Sequence, residues 1–228
     1  MMQAERATPI TERPIQVALL DDHRLILEGL AERINAQPDM ETVMLATTAD
    51  DALQGLLEMR PHVALLDVEL PGRGVFDMAA QLRVRQKDTR LVFLTGYVSD
   101  VFIEQAIKMR AHGYLVKGES IGFILNCIRR VANGEQCFSD DVQRRLAFNF
   151  SERRYVMRSD SPFAQLTSRQ LEVLRQLAKG ASVKEVAKLM HLSQKSVDSH
   201  KYRIMHKLGI HDRVQLARFA IREGLMLP

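Results

Sequence analysis

The stretch that decides the fold is Val63-Ala-Leu-Leu-Asp67, followed by Val68-Glu-Leu-Pro71-Gly72. Four apolar residues between Pro61 and the Pro-Gly pair predict a short strand that is buried on both faces. Asp67 would then stand where this strand leaves the core. In an open parallel sheet, ligands bind outside the carboxyl ends of the strands. A carboxylate at that position fits either chemistry or the capping of the following loop.

Length and composition indicate one or two ordinary globular domains. The chain has 228 residues, of which 46% are hydrophobic and 26% are charged. We expect a cytoplasmic protein without a membrane segment, because no apolar run could cross a bilayer and residues 1–13 lack the apolar core of a secretory signal. The two cysteines, Cys127 and Cys137, have no metal-ligand spacing and are interpreted as reduced thiols.

The charge changes sign along the chain. Residues 1–137 carry 15 Lys and Arg against 19 Asp and Glu, whereas residues 138–228 carry 17 against 9. An acidic half suits a metal site, and a basic half suits a polyanion.

The first half alternates between strand and helix patterns. Strands are predicted at 15–20, 42–46, 63–67, 90–95 and 113–117, and helices at 25–34, 50–59, 76–84, 100–109 and 121–132. This order predicts a doubly wound α/β domain, with helices on both faces of a five-stranded parallel sheet.

Polar residues follow the predicted strands. In the flavodoxin-like strand order 2-1-3-4-5, the ends of strands one and three are neighbours, which would bring Asp21, Asp22 and Asp67 together. Three carboxylates repel one another unless a hard cation such as Mg²⁺ lies among them. Thr95 and Lys117 end the fourth and fifth strands and would suit a phosphoryl group at the same edge.

Each residue alone also fits a plainer role. The Asp21-Asp22 pair could cap the first helix, Thr95 could be an ordinary strand residue, and Lys117 could extend along the surface. The chemical interpretation is favoured because all of them fall at one edge of one sheet.

Residues 15–134 resemble the receiver domain of two-component response regulators. The matching segments are Leu19-Leu-Asp-Asp-His23, Leu66-Asp-Val-Glu-Leu-Pro-Gly72, Leu94-Thr-Gly96 and Gly113-Tyr-Leu-Val-Lys117. One departure concerns the loop after Asp67, because the glycine that usually comes eight residues later is replaced by Val75, and Gly74 stands one place earlier. A β-branched residue adopts positive φ only at a cost, so the resemblance leaves the shape of this loop open.

The resemblance implies a role for each residue of this edge. Asp67 would accept a phosphoryl group from a sensor histidine kinase. Asp22, Asp67 and the carbonyl of Glu69 would bind Mg²⁺ directly, and Asp21 would act through water. Lys117 would pair with the phosphoryl group, Thr95 would bond one of its oxygens, and Tyr114 would be the aromatic switch residue, although it also fits an ordinary half-buried tyrosine.

The basic half predicts four short helices. Thr167 and Gln170 form a capping box before the first, Gly180 ends it, a second lies near 183–190, Ser193 caps a third that runs to about Leu208, and 213–223 forms the last. The third helix is apolar on one side and polar or basic on the other, which is typical of a helix-turn-helix that enters the major groove. A solvated face of a structural bundle is the plainer alternative.

Residues 166–225 resemble the LuxR-type helix-turn-helix of NarL/FixJ response regulators. The matching residues include Leu166-Thr-Ser-Arg169, Glu172-Val-Leu174, Lys184-Glu-Val-Ala187, Lys195-Ser-Val197 and Lys207-Leu-Gly209. The resemblance implies phosphate contacts by Lys184, Lys195 and Ser196, and base contacts by Asp198, Ser199 and Tyr202. It also implies that the last helix, which includes Val214, Leu216 and Phe219, forms a dimer contact, although such residues also fit a core.

Together these observations predict a response regulator rather than an enzyme. We expect an N-terminal extension at 1–14, a receiver at 15–136, a linker at 137–165 and an all-α four-helix DNA-binding domain at 166–228. Its expected partners are double-stranded DNA, a sensor histidine kinase and a second copy in a homodimer of the active form. Two alternatives are a DNA-binding regulator whose receiver is a phosphorylation-independent interaction module, and a magnesium-dependent phosphatase or transferase, for which the sequence offers no general acid or substrate pocket.

Overall fold

The computed structural model describes residues 14–70, 74–96, 98–158, 165–222 and 225. The predicted N-terminal extension therefore lies outside the described residues, apart from residue 14. In the described parts of the chain, no helix has the length and apolar character needed to cross a membrane.

The first half is a parallel sheet with the strand order β2-β1-β3-β4-β5-β6. Its strands are β1 (Ile15–Leu20), β2 (Met40–Ala46), β3 (Val63–Asp67), β4 (Arg90–Thr95), β5 (Gly113–Val116) and β6 (Cys137–Phe138). The helices between them are α1 (Arg24–Asn35), α2 (Ala49–Met59), α3 (Val75–Arg85), α4 (Asp100–Lys108) and α5 (Ile121–Ala132). The doubly wound architecture and the order of the first five strands agree with the expectation from sequence.

The central strand β3 is buried on both faces, as its apolar run predicted. It lies between β1 and β4, and all five of its residues are buried. Ala64 and Leu66 belong to a core that includes buried residues of α2, α3 and α4, whereas Val63 and Leu65 belong to a separate core with α1 and α5. Alternate side chains of β3 therefore pack against the helices on the two faces of the sheet. This packing fixes the position of Asp67 at the carboxyl edge.

The sheet has one strand more than the five expected. Cys137 and Phe138 form β6, which pairs in parallel with β5. Helix α6 (Asp140–Gln143) and an antiparallel hairpin of β7 (Leu146–Asn149) and β8 (Arg154–Met157) follow, where a linker was predicted. A two-residue strand is too short to show a hydrophobic period, so the pattern could not reveal it.

In the predicted DNA-binding domain, the described residues 166–222 form four helices, as expected. They are α7 (Ser168–Ala178), α8 (Val183–Leu189), α9 (Gln194–Leu208) and α10 (Arg213–Arg222). The predicted capping box before α7 is present, because Thr167 Oγ1 accepts the Gln170 amide and the Gln170 side chain accepts the Thr167 amide. Gly209 ends α9 at a φ of 64°, a conformation that glycine adopts without a steric penalty.

Candidate functional site

Three carboxylates meet at the carboxyl edge of the sheet. Asp21 and Asp22 follow β1, and Asp67 ends the neighbouring strand β3. One ligand atom from each of these residues, and one from His23, lie within 4.8 Å of one another. Asp67 is completely buried and Asp21 is nearly so, whereas Asp22 is exposed. Because water cannot reach these two carboxylates, protein groups must balance their negative charge.

Lys117 is the cation of this cluster. It lies directly after β5, and its Nζ is 2.7 Å from Asp21 Oδ2 and 3.2 Å from Asp67 Oδ2. Its backbone amide donates to the carbonyl of Thr95, 2.7 Å away, which ties the lysine to the end of the adjacent strand. One ammonium group thus bridges the two buried carboxylates.

The pKa values of Asp67 and Lys117 are shifted by burial and by the neighbouring charges. Burial raises the pKa of Asp67 to about 6, and the charge of Asp21 adds to this, while Lys117 and the hydrogen bond from the Glu69 amide oppose it. Burial would lower the pKa of Lys117, but the hydrogen bond to Asp21 and the charge of Asp67 outweigh burial and raise it. At neutral pH Asp67 is therefore ionised, and because it is buried its negative charge lowers the stability of the folded protein.

The carboxylate cluster fits a hard divalent cation. Three carboxylates face a single lysine, and carboxylate oxygens are the ligands that Mg²⁺ prefers in proteins. His23 Nδ1 lies 2.8 Å from Asp22 Oδ1 and 3.1 Å from Asp21 Oδ1, so its imidazole also borders the cluster. His23 belongs to the motif Leu19-Leu-Asp-Asp-His23, from which no role for its side chain was predicted.

Glu69 and Thr95 lie at this edge of the sheet, and Tyr114 lies within the neighbouring strand β5. The Glu69 amide donates to Asp67 Oδ1 at 3.1 Å. Thr95 ends β4 beside Asp67 and is fully buried. Tyr114 is also fully buried in β5, with its ring centroid 6.3 Å from that of Phe93. Its ring thus lies inside the protein, in the core rather than on the surface.

Helix α7 contributes residues to this edge that the sequence analysis missed. Arg175 donates to the Val68 carbonyl and to the Glu69 carboxylate, both at 3.2 Å. Glu172 lies against Gly74, and Arg169 Nη1 is 3.3 Å from Asp77 Oδ2. The amphipathic pattern of α7 indicated only its apolar face, so it carried no signal for this contact.

The polar face of α9 is open to solvent. Val197 and Ile204 are buried, as its apolar spacing predicted, whereas Tyr202 is 72% exposed. Six residues were suggested for DNA contact. Ser196 is partly buried, and its hydroxyl lies 2.8 Å from that of the capping Ser193. The other five are exposed, Lys184 on α8 and Lys195, Asp198, Ser199 and Tyr202 on α9. This face is therefore free to approach a nucleic acid in the arrangement observed.

The last helix divides its apolar residues between the core and the surface. Leu216 and Ala220 are buried, whereas Val214 is 68% exposed. Leu216 and Ala220 are therefore core residues, and the side chain of Val214 lies on the surface.

Two family profiles match the chain. "Response regulator receiver domain" matches residues 17–129, and "Bacterial regulatory proteins, luxR family" matches residues 164–220. Response regulator UvrY of Escherichia coli K12 is 30% identical over 211 residues, which cover 92% of this chain and 95% of that protein. Response regulator GacA of Pseudomonas aeruginosa is 30% identical over 213 residues, covering 93% and 98%. A solved structure of RcsB from Salmonella typhimurium shares the fold, with a TM-score of 0.71 at 19% identity over 93% of this chain and 99% of that chain.

Proposed function

Because the chain belongs to the NarL/FixJ family of two-component response regulators, we propose that Asp67 is the phosphoryl acceptor of a DNA-binding transcription regulator. The observation that carries this proposal is the burial of Asp67 beside Asp21, with Lys117 bridging the two carboxylates. A carboxylate held in this way has a cation within reach of any phosphoryl group that it accepts.

The reaction is nucleophilic attack by a carboxylate. An oxygen of Asp67 forms a bond to the phosphorus of a phosphohistidine on a sensor kinase, and the phosphorus–nitrogen bond breaks with the electron pair leaving on the imidazole. Lys117 neutralises charge on the transferred group, and Thr95 donates its hydroxyl to one of the phosphoryl oxygens. Mg²⁺, held by Asp22, Asp67 and the Glu69 carbonyl with Asp21 acting through water, would reduce the repulsion between the carboxylate and the phosphoryl oxygens.

The second domain would read double-stranded DNA. Lys184 at the start of α8, and Lys195 and Ser196 at the start of α9, are proposed to contact phosphates; both lysines are exposed. From the polar face of α9, base edges would be approached by Asp198, Ser199 and Tyr202. The exposed side chain of Val214 on α10 is proposed to contact a second copy of the chain in the active homodimer.

The proposed function divides the chain into two domains and a connecting segment. The receiver is assigned to 15–136, and the DNA-binding domain to 166–228. The segment 137–165, which was expected to be a linker, adds β6 to the receiver sheet before it leads to the second domain. Tyr114 is proposed as the residue that responds to phosphorylation. The protein is proposed to work in the cytoplasm as a regulator rather than as an enzyme that turns over a substrate, because its relatives UvrY and GacA are response regulators.

Incubation of the full chain with acetyl phosphate tests this function. We expect one phosphoryl group per chain, located on Asp67 by peptide mass spectrometry after borohydride trapping, and no transfer when EDTA removes Mg²⁺. A folded protein whose Asp67 stays unmodified in the presence of Mg²⁺ would contradict the proposal.

A further inference from the structure

A cleft lies at the amino edge of the receiver sheet, whereas Asp67 lies at the carboxyl edge. The turn of the β7–β8 hairpin forms one wall, and the loops that precede β5 and β6 form the other two. Its lining comes from residues within 107–112, 134–136 and 152–155, and its volume is about 270 Å³. This hairpin cleft is slightly smaller than the sites that bind drug-sized ligands, so it suits a smaller molecule.

The walls of the hairpin cleft are held together by packing and by a hydrogen bond. The ring centroid of Tyr155 on β8 lies 5.1 Å from that of Phe138 on β6, and both residues belong to the receiver core. The side-chain amide of Gln136 donates to the Ala111 carbonyl at 3.1 Å, which joins the two loops. The three walls are therefore fixed relative to one another within a single domain.

Arginines determine the charge of the hairpin cleft. Arg110, Arg153 and Arg154 line it, and Glu152 is the acidic residue of the described lining. Glu152 forms an ion pair with Arg154. The guanidinium groups of Arg110 and Arg153 form no hydrogen bond or ion pair with the described residues. Two guanidinium groups on facing walls are thus available to an anion.

Positive charge continues behind the lining. Arg83 Nη2 is 3.4 Å from His112 Nδ1 and donates to the Arg110 carbonyl at 3.0 Å. Burial, together with the charges of Arg83 and Arg90, lowers the pKa of His112 to about 4, so its imidazole is neutral at neutral pH. The arginine charges add to the effect of burial, which indicates an excess of positive charge at this edge of the sheet.

Arg110 and Arg153 occupy backbone positions that favour glycine. The φ angle is 57° at Arg110 and 50° at Arg153, and two other non-glycine residues of the described chain have a positive φ, Arg60 and His191. The Arg110 amide donates to the Ile107 carbonyl at 2.9 Å, just after α4, where a helix most often ends in glycine. The backbone gives no reason for arginine at either position of the cleft, whereas a ligand for the two guanidinium groups does.

We propose that the hairpin cleft binds a phosphate dianion, either free or as the phosphate group of a small metabolite. A guanidinium group binds phosphate through two parallel N–H···O bonds, and arginines on facing walls can surround a tetrahedral anion. Three arginines and one glutamate give the described lining a net charge of +2, which matches a dianion. Ile107 and Tyr155 of the same lining would contact the organic part of a phosphate ester. Neither Asp67 nor the DNA-reading face takes part in this site.

Isothermal titration calorimetry of the full chain with ribose 5-phosphate and with orthophosphate tests this site. EDTA is present, so that phosphate cannot bind through Mg²⁺ at Asp67. Arg110→Gly and Arg153→Gly each remove one guanidinium and suit the backbone at positive φ, so the fold is retained. We expect each variant to bind the tighter probe at least about tenfold more weakly, because charge-assisted hydrogen bonds are lost. Unchanged affinity in both variants, or no binding of either probe to the native chain, would overturn the proposal.

Arg60→Gly is the matched control, because Arg60 has a φ of 48° at the end of α2 and lies outside the cleft lining. It should bind both probes as the native chain does, and all three variants should keep the native circular dichroism spectrum. An equal loss of affinity in Arg60→Gly would show that diffuse positive charge binds the anion, and the proposed site would be wrong.

Comparison of the probes identifies the source of the phosphate. Tighter binding of ribose 5-phosphate assigns the cleft to a phosphorylated metabolite, and equal or weaker binding assigns it to free phosphate; either result agrees with the proposal. Citrate provides the carboxylate comparison. If citrate binds the native chain more tightly than either phosphate does, the site is not a phosphate site.

Discussion

Lys117→Met is expected to lower the free energy of unfolding by about 3 kcal/mol at pH 8, because it leaves two buried carboxylates without their cation. Asp67 is completely buried and Asp21 is 2% exposed, and both are within 3.2 Å of Lys117 Nζ. The same substitution is expected to slow phosphoryl transfer to Asp67, since no other lysine or arginine of the described residues forms an ion pair with it. Urea unfolding and acetyl phosphate labelling measure the two effects.

The destabilisation by Lys117→Met should depend on pH. Asp67 already has a pKa raised to about 6, and loss of the lysine would raise it further. A raised pKa in the folded state means that ionisation costs stability as the pH rises through that value, so the variant should be closest to the native chain near pH 5. Lys87→Met, which removes an exposed lysine of the same domain, is the control. An equal loss of stability at pH 5 and pH 8 would contradict this account of the cluster.

DNA affinity is expected to fall about a hundredfold between roughly 50 and 200 mM salt. Lys184 and Lys195 from each of two protomers would neutralise about four phosphates, for which counterion release gives a slope of about −3.6 when log affinity is plotted against log salt concentration. Fluorescence anisotropy with an operator selected from random duplexes measures this slope. A flat salt response would be incompatible with groove binding by α9.

Variants of single lysines show whether the salt dependence of DNA affinity comes from contacts of α9. Lys195→Met should reduce the magnitude of the slope by about 2 in a dimer, because each protomer loses one phosphate contact. Lys87→Met removes the same charge from the receiver half and should leave the slope unchanged. Equal slopes for both variants would mean that net charge, rather than contact through α9, controls DNA binding.

The fold and the carboxylate cluster were predictable because both follow from short-range patterns. Buried strands that alternate with amphipathic helices specify a parallel sheet, and a parallel sheet brings the ends of β1 and β3 to one edge. The proximity of Asp21, Asp22 and Asp67 therefore follows from the sequence pattern alone. Strand β6 could not be predicted, since Cys137 and Phe138 form a strand through pairing with β5 alone.

The contact between the domains was not predictable from periodicity. Nine of the eleven residues of α7 are buried, although its pattern indicated a single apolar face. Arg175 is buried because its partners, Val68 and Glu69, belong to the other domain and lie about a hundred residues earlier in the chain. Glu172 is buried against Gly74, which also belongs to that other domain. A local pattern contains no information about such distant neighbours. The displaced glycine at Gly74 was visible in the sequence, but its meaning depends on the position of Glu172.

Operator affinity of the full chain, measured with and without phosphorylation of Asp67, tests the central claim most directly. The native chain should bind at least about fivefold more tightly after treatment with acetyl phosphate and Mg²⁺, while Asp67→Asn should bind with one affinity under both conditions. If the native chain carries the phosphoryl group on Asp67 and its operator affinity is the same as that of the unmodified chain, phosphorylation does not control DNA binding and the account is wrong.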